Sequence, residues 1–229
     1  MLPALGRSLT GAIVGCSVAR DAAEGHAVSC RKGCGACCRQ LVPLAEPEAR
    51  QIRDLVEAMP EPRRSEIRAR FEDARRRLEA SGEVGEKLLH PGRFSDDELR
   101  ARDLGLAYFR LGIPCPFLEE ESCSIHPDRP MACREYLVTS PAEFCADPSA
   151  ETVRVVQLPA KVSTAVTLIG VEPDGSRRFT RWVPLILAPG WADGHPDDLP
   201  PRPGPEWVRE LIARLTGKEV PPPPTSAGA

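Results

Sequence analysis

Aromatic side chains are scarce in this sequence, and neither sign of charge dominates. Phe, Trp and Tyr make up 5% of the 229 residues, so aliphatic side chains must supply most of the core. The formal net charge of −3 gives no electrostatic reason to expect a nucleic acid as partner. No uninterrupted apolar run approaches the roughly 18 residues that a spanning helix needs, so we expect no membrane partner either.

Conventional catalytic motifs are also missing. The sequence has no glycine-rich nucleotide loop, no His-Glu zinc motif and no nucleophile motif of a familiar kind. An Arg-rich segment at 63–80 could suggest RNA binding, but Glu66, Glu72, Asp73 and Glu79 alternate with its arginines at helical spacing. That pattern predicts a salt-bridged helix face in solvent. Arginine outnumbers lysine by 26 to 4, which is typical of a GC-rich bacterial source.

Cysteine, by contrast, is abundant and grouped. The first group reads Cys30-x3-Cys34-x2-Cys37-Cys38. Thiols this close along a tight loop are poorly placed to pair as disulfides, and a chain of this length can build a core without them. The spacing therefore indicates thiolate ligands for a soft or borderline metal ion. Because adjacent side chains diverge, Cys37 and Cys38 would serve different irons of a cluster or two neighbouring metals.

A second cysteine group begins 77 positions after the first one ends, and it comprises Cys115, Cys123, Cys133 and Cys145. Early and late ligands can share a site only if the chain between them returns to its start. Helices packed as hairpins do this, so we expect the intervening helices to be scaffold. The sequence predicts that sulfurs from both groups lie in one pocket, namely those of Cys34, Cys37, Cys115, Cys123 and Cys133.

At these residues the sequence resembles the YkgJ-type cysteine-cluster family, a zinc- or iron-chelating domain with eight characteristic cysteines. The resemblance runs from Ser29 to Cys145 and includes Pro116-Phe117-Leu118 and Arg129-Pro130 before Cys133-Arg134. It implies metal binding by Cys30, Cys34, Cys37, Cys38, Cys115, Cys123, Cys133 and Cys145. It does not extend to Cys16 or to the residues after Pro148.

The identity of the metal stays open between zinc and iron. Zinc would need two tetrahedral four-sulfur sites, or one such site with four thiols to spare. An iron–sulfur cubane needs four cysteines, and a Cys-Pro pair such as Cys115-Pro116 recurs beside cluster ligands in ferredoxins. A flagellin lysine methylase with a related cysteine motif is linked to an iron–sulfur centre. That analogy favours an iron–sulfur cluster.

Two arginines are candidates for binding the cofactor. A site rich in thiolates is strongly anionic, and the guanidinium groups of Arg129 and Arg134 would offset that charge and donate hydrogen bonds to sulfur. The alternative is a pair of surface salt bridges to Asp128 or Glu135. We interpret His126 as a turn residue and not as a ligand.

The amino-terminal residues allow two interpretations. Ile13-Val14-Gly15-Cys16 behind Arg7 resembles a bacterial lipoprotein cleavage signal, but the apolar stretch is short and one basic residue precedes it. Leu5, Leu9, Ile13 and Cys16 also recur on one face of a helix. We therefore expect a retained helix in a cytoplasmic protein, with Cys16 a free thiol.

The remaining patterns predict a mainly α fold with a small β portion near the C-terminal third, as a helical scaffold around a cysteine-rich metal site. Helices are expected over 8–25, 47–59, 63–80, 95–111 and 205–217, with a short helix at 141–145 capped by Ser140. The residues expected to face inward are Ile67, Phe71, Ala74 and Leu78 on the third of these helices, Leu99, Leu104, Tyr108 and Phe109 on the fourth, and Trp207, Leu211, Ile212 and Leu215 on the last. Tyr136 is expected to pack near the site, and Pro184 restricts its segment to an edge strand or to no strand. Strands are expected near 153–156 and 182–187, with a turn at Asp174-Gly175. The expected organisation is an N-terminal helix (1–28), a metal-binding domain (29–148), a packed extension (149–217) and a disordered tail (218–229).

Three functional classes follow from these observations. The leading one is a metal-binding protein that stores or senses a metal or holds a redox centre. The second is a metal-dependent enzyme that modifies a protein or another macromolecule. The third is an interaction domain with a purely structural metal site. Open coordination positions would favour the enzyme, and closed four-sulfur coordination would favour a structural role.

Overall fold

The structure is a computed structural model that describes residues 2–94, 102–170, 182–197, 201–218 and 220. It is mainly helical, as predicted. The helices are α1 (Leu2–Ala23), α2 (Glu46–Glu57), α3 (Arg63–Glu79), α4 (Glu83–Leu89), α5 (Arg102–Arg110), α6 (Met131–Glu135), α7 (Val162–Thr167), α8 (Ala188–Gly194) and α9 (Gly204–Thr216). The strands are β1 (Pro43–Ala45), β2 (Leu118–Glu119), β3 (Ser122–Cys123) and β4 (Trp182–Pro184). Short 3-10 turns include Ala36–Arg39, His126–Asp128 and Ala142–Ala146.

The strands form two small antiparallel sheets. β1 pairs with β4, so Leu44 lies opposite Val183, and β2 pairs with β3 as a hairpin. Pro184 lies at the end of β4 in a two-stranded sheet, which agrees with the prediction that proline would restrict this segment to an edge. Of the four strands in the described residues, only β4 lies in the C-terminal third where the β portion was expected.

The larger of two hydrophobic cores lies between α2, α3, α5 and the β2–β3 hairpin. The predicted inner face of α3 is confirmed, because Ile67, Phe71, Ala74 and Leu78 are all buried. Phe71 meets Phe117 edge to face, with their ring centroids 5.4 Å apart. This core fixes the position of the segment that follows Cys115.

The opposite face of α3 carries the arginines, and they form ion pairs as the sequence predicted. Arg75 pairs with Glu79 and Arg76 with Asp73 along the helix. Arg63 and Arg70 instead reach Glu119 in β2, so part of this face holds the hairpin against the helix.

The second core lies between α1, α6, α7 and α9. Met131, Val162, Val166 and Leu211 are buried there. Leu5, Leu9 and Ile13 pack against them from α1, and Trp207 and Leu215 from α9. Helix α1 thus packs against the rest of the chain through the face that the sequence indicated, whereas Cys16 is exposed.

Helix α1 also corrects one expectation. By length and composition, Leu2–Ala23 is long and apolar enough to cross a membrane, although an uninterrupted apolar run is absent. A signal sequence would pass the same test, because it too is apolar and lies near the N-terminus. In this fold Gly6, Thr10, Ser17 and Asp21 of the helix are buried against its neighbours.

Several predicted elements differ from those observed. The sequence did not predict α4. Residues 153–156 form no strand, because the only pairing there is the isolated bridge Val138–Val155, and the partner segment turns away at Pro141. Ser140 does not cap a helix, because its hydroxyl accepts a hydrogen bond from Arg154 N–H and the next turn is a 3-10 helix. Ile212 is 39% exposed and so lies outside the apolar face of α9.

Some predictions fall on residues that are not described. The start of the helix expected at 95–111, including Leu99, lies outside the described residues, and α5 covers its second half. On α5, Leu104 and Tyr108 are buried as predicted, whereas Phe109 is only half-buried. The Asp174-Gly175 turn and the tail from Pro221 also lie outside the described residues.

Candidate metal centre

The segment that begins the first cysteine group is hydrogen-bonded to the segment before Cys145. Ser29 N–H donates to Val138 O at 2.9 Å, and its hydroxyl donates to Ser140 O at 2.5 Å. Val138 N–H in turn points at Cys30 Sγ, 3.5 Å away. The 3-10 turn Ala36–Arg39 contacts the 3-10 turn Ala142–Ala146 as well. These contacts bring Cys30 and Cys145 to the same side of the first cysteine loop.

The two cysteine groups meet directly at Cys38. Its carbonyl oxygen accepts the N–H of Cys115 at 2.7 Å, which joins residues 77 positions apart in the sequence. The β2–β3 hairpin begins shortly after Cys115, and in it Cys123 lies opposite Leu118. The chain between the groups therefore returns to its start, as the helical-scaffold prediction required.

The hairpin lies closely against Gly35. A Cβ atom at this position would lie 2.5 Å from Glu121 Oε2 and 2.7 Å from Leu118 Cδ1, so a larger residue cannot fit without displacement. Arg39 binds both carboxylate oxygens of Glu121, at 3.0 and 2.7 Å. This bidentate pair steadies a turn in which Glu120 and Glu121 both have positive φ, a conformation unfavourable for residues other than glycine.

Buried carboxylates hold the helix that carries Cys133. Glu48 of α2 is 4% exposed, and its Oε1 accepts the N–H of Met131 at 2.9 Å, at the start of α6. At the other end of α6, Glu135 accepts hydrogen bonds from the N–H and hydroxyl of Ser163, at the start of α7. Because the first N–H groups of a helix have no partner within it, each carboxyl group fixes the start of a helix by accepting such a bond.

Cys37 is the most readily ionised of the clustered thiols, with a pKa of about 7. Its sulfur accepts a hydrogen bond from the Cys38 thiol, and this bond together with the nearby Arg129 charge lowers the pKa of Cys37. The same bond, burial and the neighbouring thiols raise the pKa of Cys38. The charge of Cys37 also raises the pKa of the thiols that surround it, which are Cys30, Cys115, Cys123, Cys133 and Cys145.

The other thiols form two sets according to which of them affect one another electrostatically. Cys145 is coupled electrostatically to Cys34 and Cys30. Cys115 and Cys123 are coupled to Cys38, and both are coupled to Cys133. Desolvation is the main cause of the raised pKa of five of these thiols, Cys30, Cys115, Cys123, Cys133 and Cys145, with Cys115 at about 12 and Cys145 at about 11. Without a metal, a thiol with a raised pKa stays neutral at pH 7. A bound metal cation would stabilise its thiolate form.

The positions of these side chains test whether a metal would fit. Within the described residues, no group of three or more His, Cys, Asp or Glu side chains forms a set that could hold a metal ion as it stands. The donor chemistry suits zinc or iron, since both take thiolates. Coordination by three or more of these thiols therefore requires some side chains to rotate, on a backbone that already brings them together.

The two candidate arginines occupy different environments. Arg129 lowers the pKa of Cys37, Cys30 and Cys123, and its buried Nε has no hydrogen-bond partner. Among the described residues it forms no salt bridge. Arg134 instead donates to the backbone oxygens of Arg129 and Pro127 and so holds the loop that carries Arg129. Cofactor binding by either arginine stays a prediction.

The remaining residues singled out in the sequence lie at the edge of the site or away from it. His126 is exposed in the 3-10 turn His126–Asp128, and the Arg129 charge lowers its pKa. Tyr136 is half-buried and accepts a hydrogen bond from the Gln40 side chain. Sequence reasoning missed Gly35, Arg39 and Glu48. Only Gly35 carried a local indication, as a glycine between two closely spaced cysteines.

Comparison with known families decides the affiliation of the chain. Residues 29–150 match the family model CxxCxxCC, described as "Putative zinc- or iron-chelating domain". The chain belongs to this family. Its membership confirms the resemblance inferred from the cysteine spacing and shows a metal-binding protein of the zinc- or iron-chelating kind. The match covers more than half of the chain and includes both cysteine groups. No curated protein and no solved structure matches the chain.

Proposed function

We propose that the eight clustered cysteines chelate iron, held as two neighbouring iron–sulfur centres of four thiolates each. The observation that carries the proposal is the hydrogen bond from Cys115 N–H to Cys38 O, which joins the two cysteine groups, and the effect of the Cys37 charge on the pKa of thiols in both groups agrees with it. An isolated hydrophobic or disulfide role would not require thiols from two distant segments to meet. The site lies in a cytoplasmic protein, in which thiols remain reduced and available to metal.

Each of the two sets of thiols would bind its own metal centre. One set comprises Cys30, Cys34 and Cys145, which the Ser29–Val138 and Ser29–Ser140 hydrogen bonds bring together. The other comprises Cys38, Cys115, Cys123 and Cys133, joined at the Cys38–Cys115 hydrogen bond. Cys37 completes four sulfurs for the first set. Two centres of four thiolates each then use all eight cysteines.

Arg129 contributes positive charge to both sets. The Arg129 charge lowers the pKa of Cys30 in one set and of Cys123 in the other. Two four-thiolate centres would carry a large negative charge, and the half-buried Arg129 can donate a hydrogen bond to sulfur through its buried, unpartnered Nε. Iron–sulfur chemistry would supply one-electron transfer at the site, and hydrogen bonds to sulfur adjust the potential of such centres.

Anaerobic purification of the full chain with metal analysis and an absorption spectrum tests this proposal. Iron, acid-labile sulfide and broad visible absorption are the expected result. Zinc without visible absorption would contradict the iron assignment and leave chelation standing. Protein that binds neither metal at stoichiometric levels would overturn the proposal altogether.

Single Cys→Ser variants test the division into two sets. Cys145→Ser should remove the metal of its own set and leave about half of the total. Cys115→Ser should likewise leave the other half. If either variant loses all metal while remaining folded, the eight thiols hold one shared centre and the division is wrong.

A further inference from the structure

A cavity of about 650 Å³ lies beside the cysteine site. Its walls come from the segment after Cys38, from α5 and α7, from residues 148–155, and from Trp182 of β4. The volume falls within the range of roughly 300–1,000 Å³ that is usual for small-molecule sites. None of the residues that line it belongs to the cysteine groups, so it is a separate feature of the fold.

Most of the cavity wall is apolar. Leu41, Leu106, Phe109 and Trp182 contribute aliphatic and aromatic surface. Phe109 is only half-buried although the sequence places it on the inner side of its helix. Such a wall favours a ligand with an apolar body.

The polar lining of the cavity combines groups that can only donate hydrogen bonds with hydroxyls and one amide that can donate or accept. Arg102 contributes a guanidinium, Trp182 an indole N–H and Tyr136 a phenol whose oxygen already accepts a bond from Gln40. Within the described part of the chain, the Arg102 and Trp182 side chains form no hydrogen bond or ion pair, and no Asp or Glu lines the cavity. Donors without acidic partners favour an anionic group on the ligand.

We propose that this cavity binds a small organic carboxylate with an apolar body, oriented by Arg102. The bound molecule would lie against Tyr136 and Gln40, and Tyr136 in turn lies within electrostatic reach of Cys145, Cys37 and Cys30. One side chain would then separate the ligand from the cysteine site. The inference goes beyond metal chelation and does not depend on it, because ligand binding and metal content are measured separately.

Three matched probes test the ligand class by isothermal titration calorimetry on the full-length, metal-loaded chain. Naphthalene-2-carboxylate, naphthalene-2-methanol and naphthalene-2-methylamine share one apolar body and differ in charge. The carboxylate should bind most tightly and the amine least. Arg102→Gln should weaken carboxylate binding about tenfold, the equivalent of one charge-assisted hydrogen bond, and leave the alcohol unchanged.

A cavity-filling variant tests the location. Gly105 lines the cavity on α5, and a Cβ atom there meets nothing within 4 Å, so Gly105→Leu extends into open space. This substitution should weaken binding of all three probes at least tenfold. Gly11→Leu is the matched control, because Gly11 also lies inside a helix with nothing within 4 Å and does not line the cavity.

The outcomes separate clearly. Unchanged carboxylate binding by Gly105→Leu would place the site elsewhere and overturn the proposal. Equal binding of carboxylate and alcohol by the wild-type protein would overturn the ligand class, and absence of saturable binding at millimolar probe would overturn both. Metal content measured on the same samples shows whether chelation fails independently.

Discussion

Gly35 lies where the first cysteine loop meets the hairpin that carries Cys123. This contact involves no cysteine side chain. Any side chain there would meet the backbone of Glu121, 3.0 Å from its Cα, as well as two side-chain atoms. Backbone cannot rotate away as a flexible side chain can. The hairpin that carries Cys123 therefore depends on a glycine in the loop that carries Cys34 and Cys37.

We expect Gly35→Ala to separate the hairpin from the first cysteine loop. The variant should lose metal and melt at a lower temperature, because overpacking costs about 1–3 kcal/mol and the displaced Cys123 is a proposed ligand. Metal analysis and calorimetry provide the measurement. Gly92→Ala is the control, since a Cβ atom there meets nothing within 4 Å. Full metal content in Gly35→Ala would show that this contact is dispensable.

The cysteines themselves give the most direct prediction. Cys37→Ser and Cys133→Ser should lower metal content and melting temperature together, because metal-binding free energy becomes folding free energy. A structural metal site can contribute roughly 10 kcal/mol, which is comparable with the net stability of a domain. Cys16→Ser should change neither quantity, since Cys16 is exposed on α1. Variants of Cys37 and Cys133 that melt like wild type with full metal would refute the ligand assignment.

Glu48 predicts a pH dependence of stability. Burial raises the pKa of this carboxyl from 4.5 to about 7, so the folded protein holds its proton more tightly than the unfolded chain does. The protonated Glu48 side chain therefore contributes to the free energy of unfolding. This contribution is fully present below pH 4.5 and is lost as the pH rises through 7. A shift of this size corresponds to on the order of 3 kcal/mol.

Glu48→Gln removes this ionisation and should remove the corresponding pH dependence. Urea unfolding of both proteins between pH 5 and pH 8 would measure it. Wild type should lose up to about 3 kcal/mol more than the variant over that range. Parallel pH profiles would show that Glu48 keeps an ordinary pKa.

At the scale of elements, the packing of α1 depends on one glycine. A Cβ atom at Gly6 would lie 2.5 Å from Met131 Sδ, and Met131 is completely buried, so its side chain has little room to move. Gly11, on the same helix, faces open space. The two positions therefore share helix propensity and differ only in what they contact.

Alanine at the two positions should have opposite effects on the free energy of unfolding. Gly11→Ala should stabilise by up to about 1 kcal/mol through helix propensity alone. Gly6→Ala gains the same propensity but must displace Met131, and overpacking of a core costs about 1–3 kcal/mol. Chemical denaturation of both variants measures the difference. Equal stabilisation by the two would mean that α1 does not pack on α6.

Elements with a long, regular pattern could be predicted from sequence, and short ones could not. The four buried positions of α3 recur at helical spacing over 17 residues, so local periodicity was enough to assign them. The 3-10 turn that carries Cys145 follows Ser140, which accepts hydrogen bonds from Ser29, 111 positions away, and from Arg154, 14 positions away. The exposure of Ile212 likewise depends on which surface α9 meets.

The same distinction applies to the candidate site. Spacing and residue type identified the cysteines, because thiols grouped this closely along a chain are characteristic of metal sites. Spacing could not identify Glu48, which acts through a helix N-terminus 83 positions away. Nor could it separate Arg129, which faces the thiols, from Arg134, which binds backbone oxygens. These roles are set by tertiary packing.

At the scale of the whole molecule, α1 makes contacts that a cleaved leader would lose. Arg7 donates to Gln51 Oε1 at 2.5 Å, and Thr10 is completely buried. We therefore predict that the native protein keeps its amino terminus and that Cys16 carries no lipid. Mass spectrometry of protein from its native cell provides the measurement. A chain that begins at a lipidated Cys16 would contradict both this prediction and the cytoplasmic assignment.

The pairing of β1 with β4 has a consequence for synthesis on the ribosome. About 140 residues separate Cys38 from Trp182, so the first four thiols emerge long before the strand that fixes the loop behind them. At translation rates of roughly 5–20 residues per second, that interval lasts about 7–30 seconds. Until Cys115 emerges, 77 residues after Cys38, the nascent chain presents four closely spaced thiols without the second cysteine group, open to oxidation or to any thiophilic ion. Correct loading of this protein is therefore a matter of timing as well as of affinity.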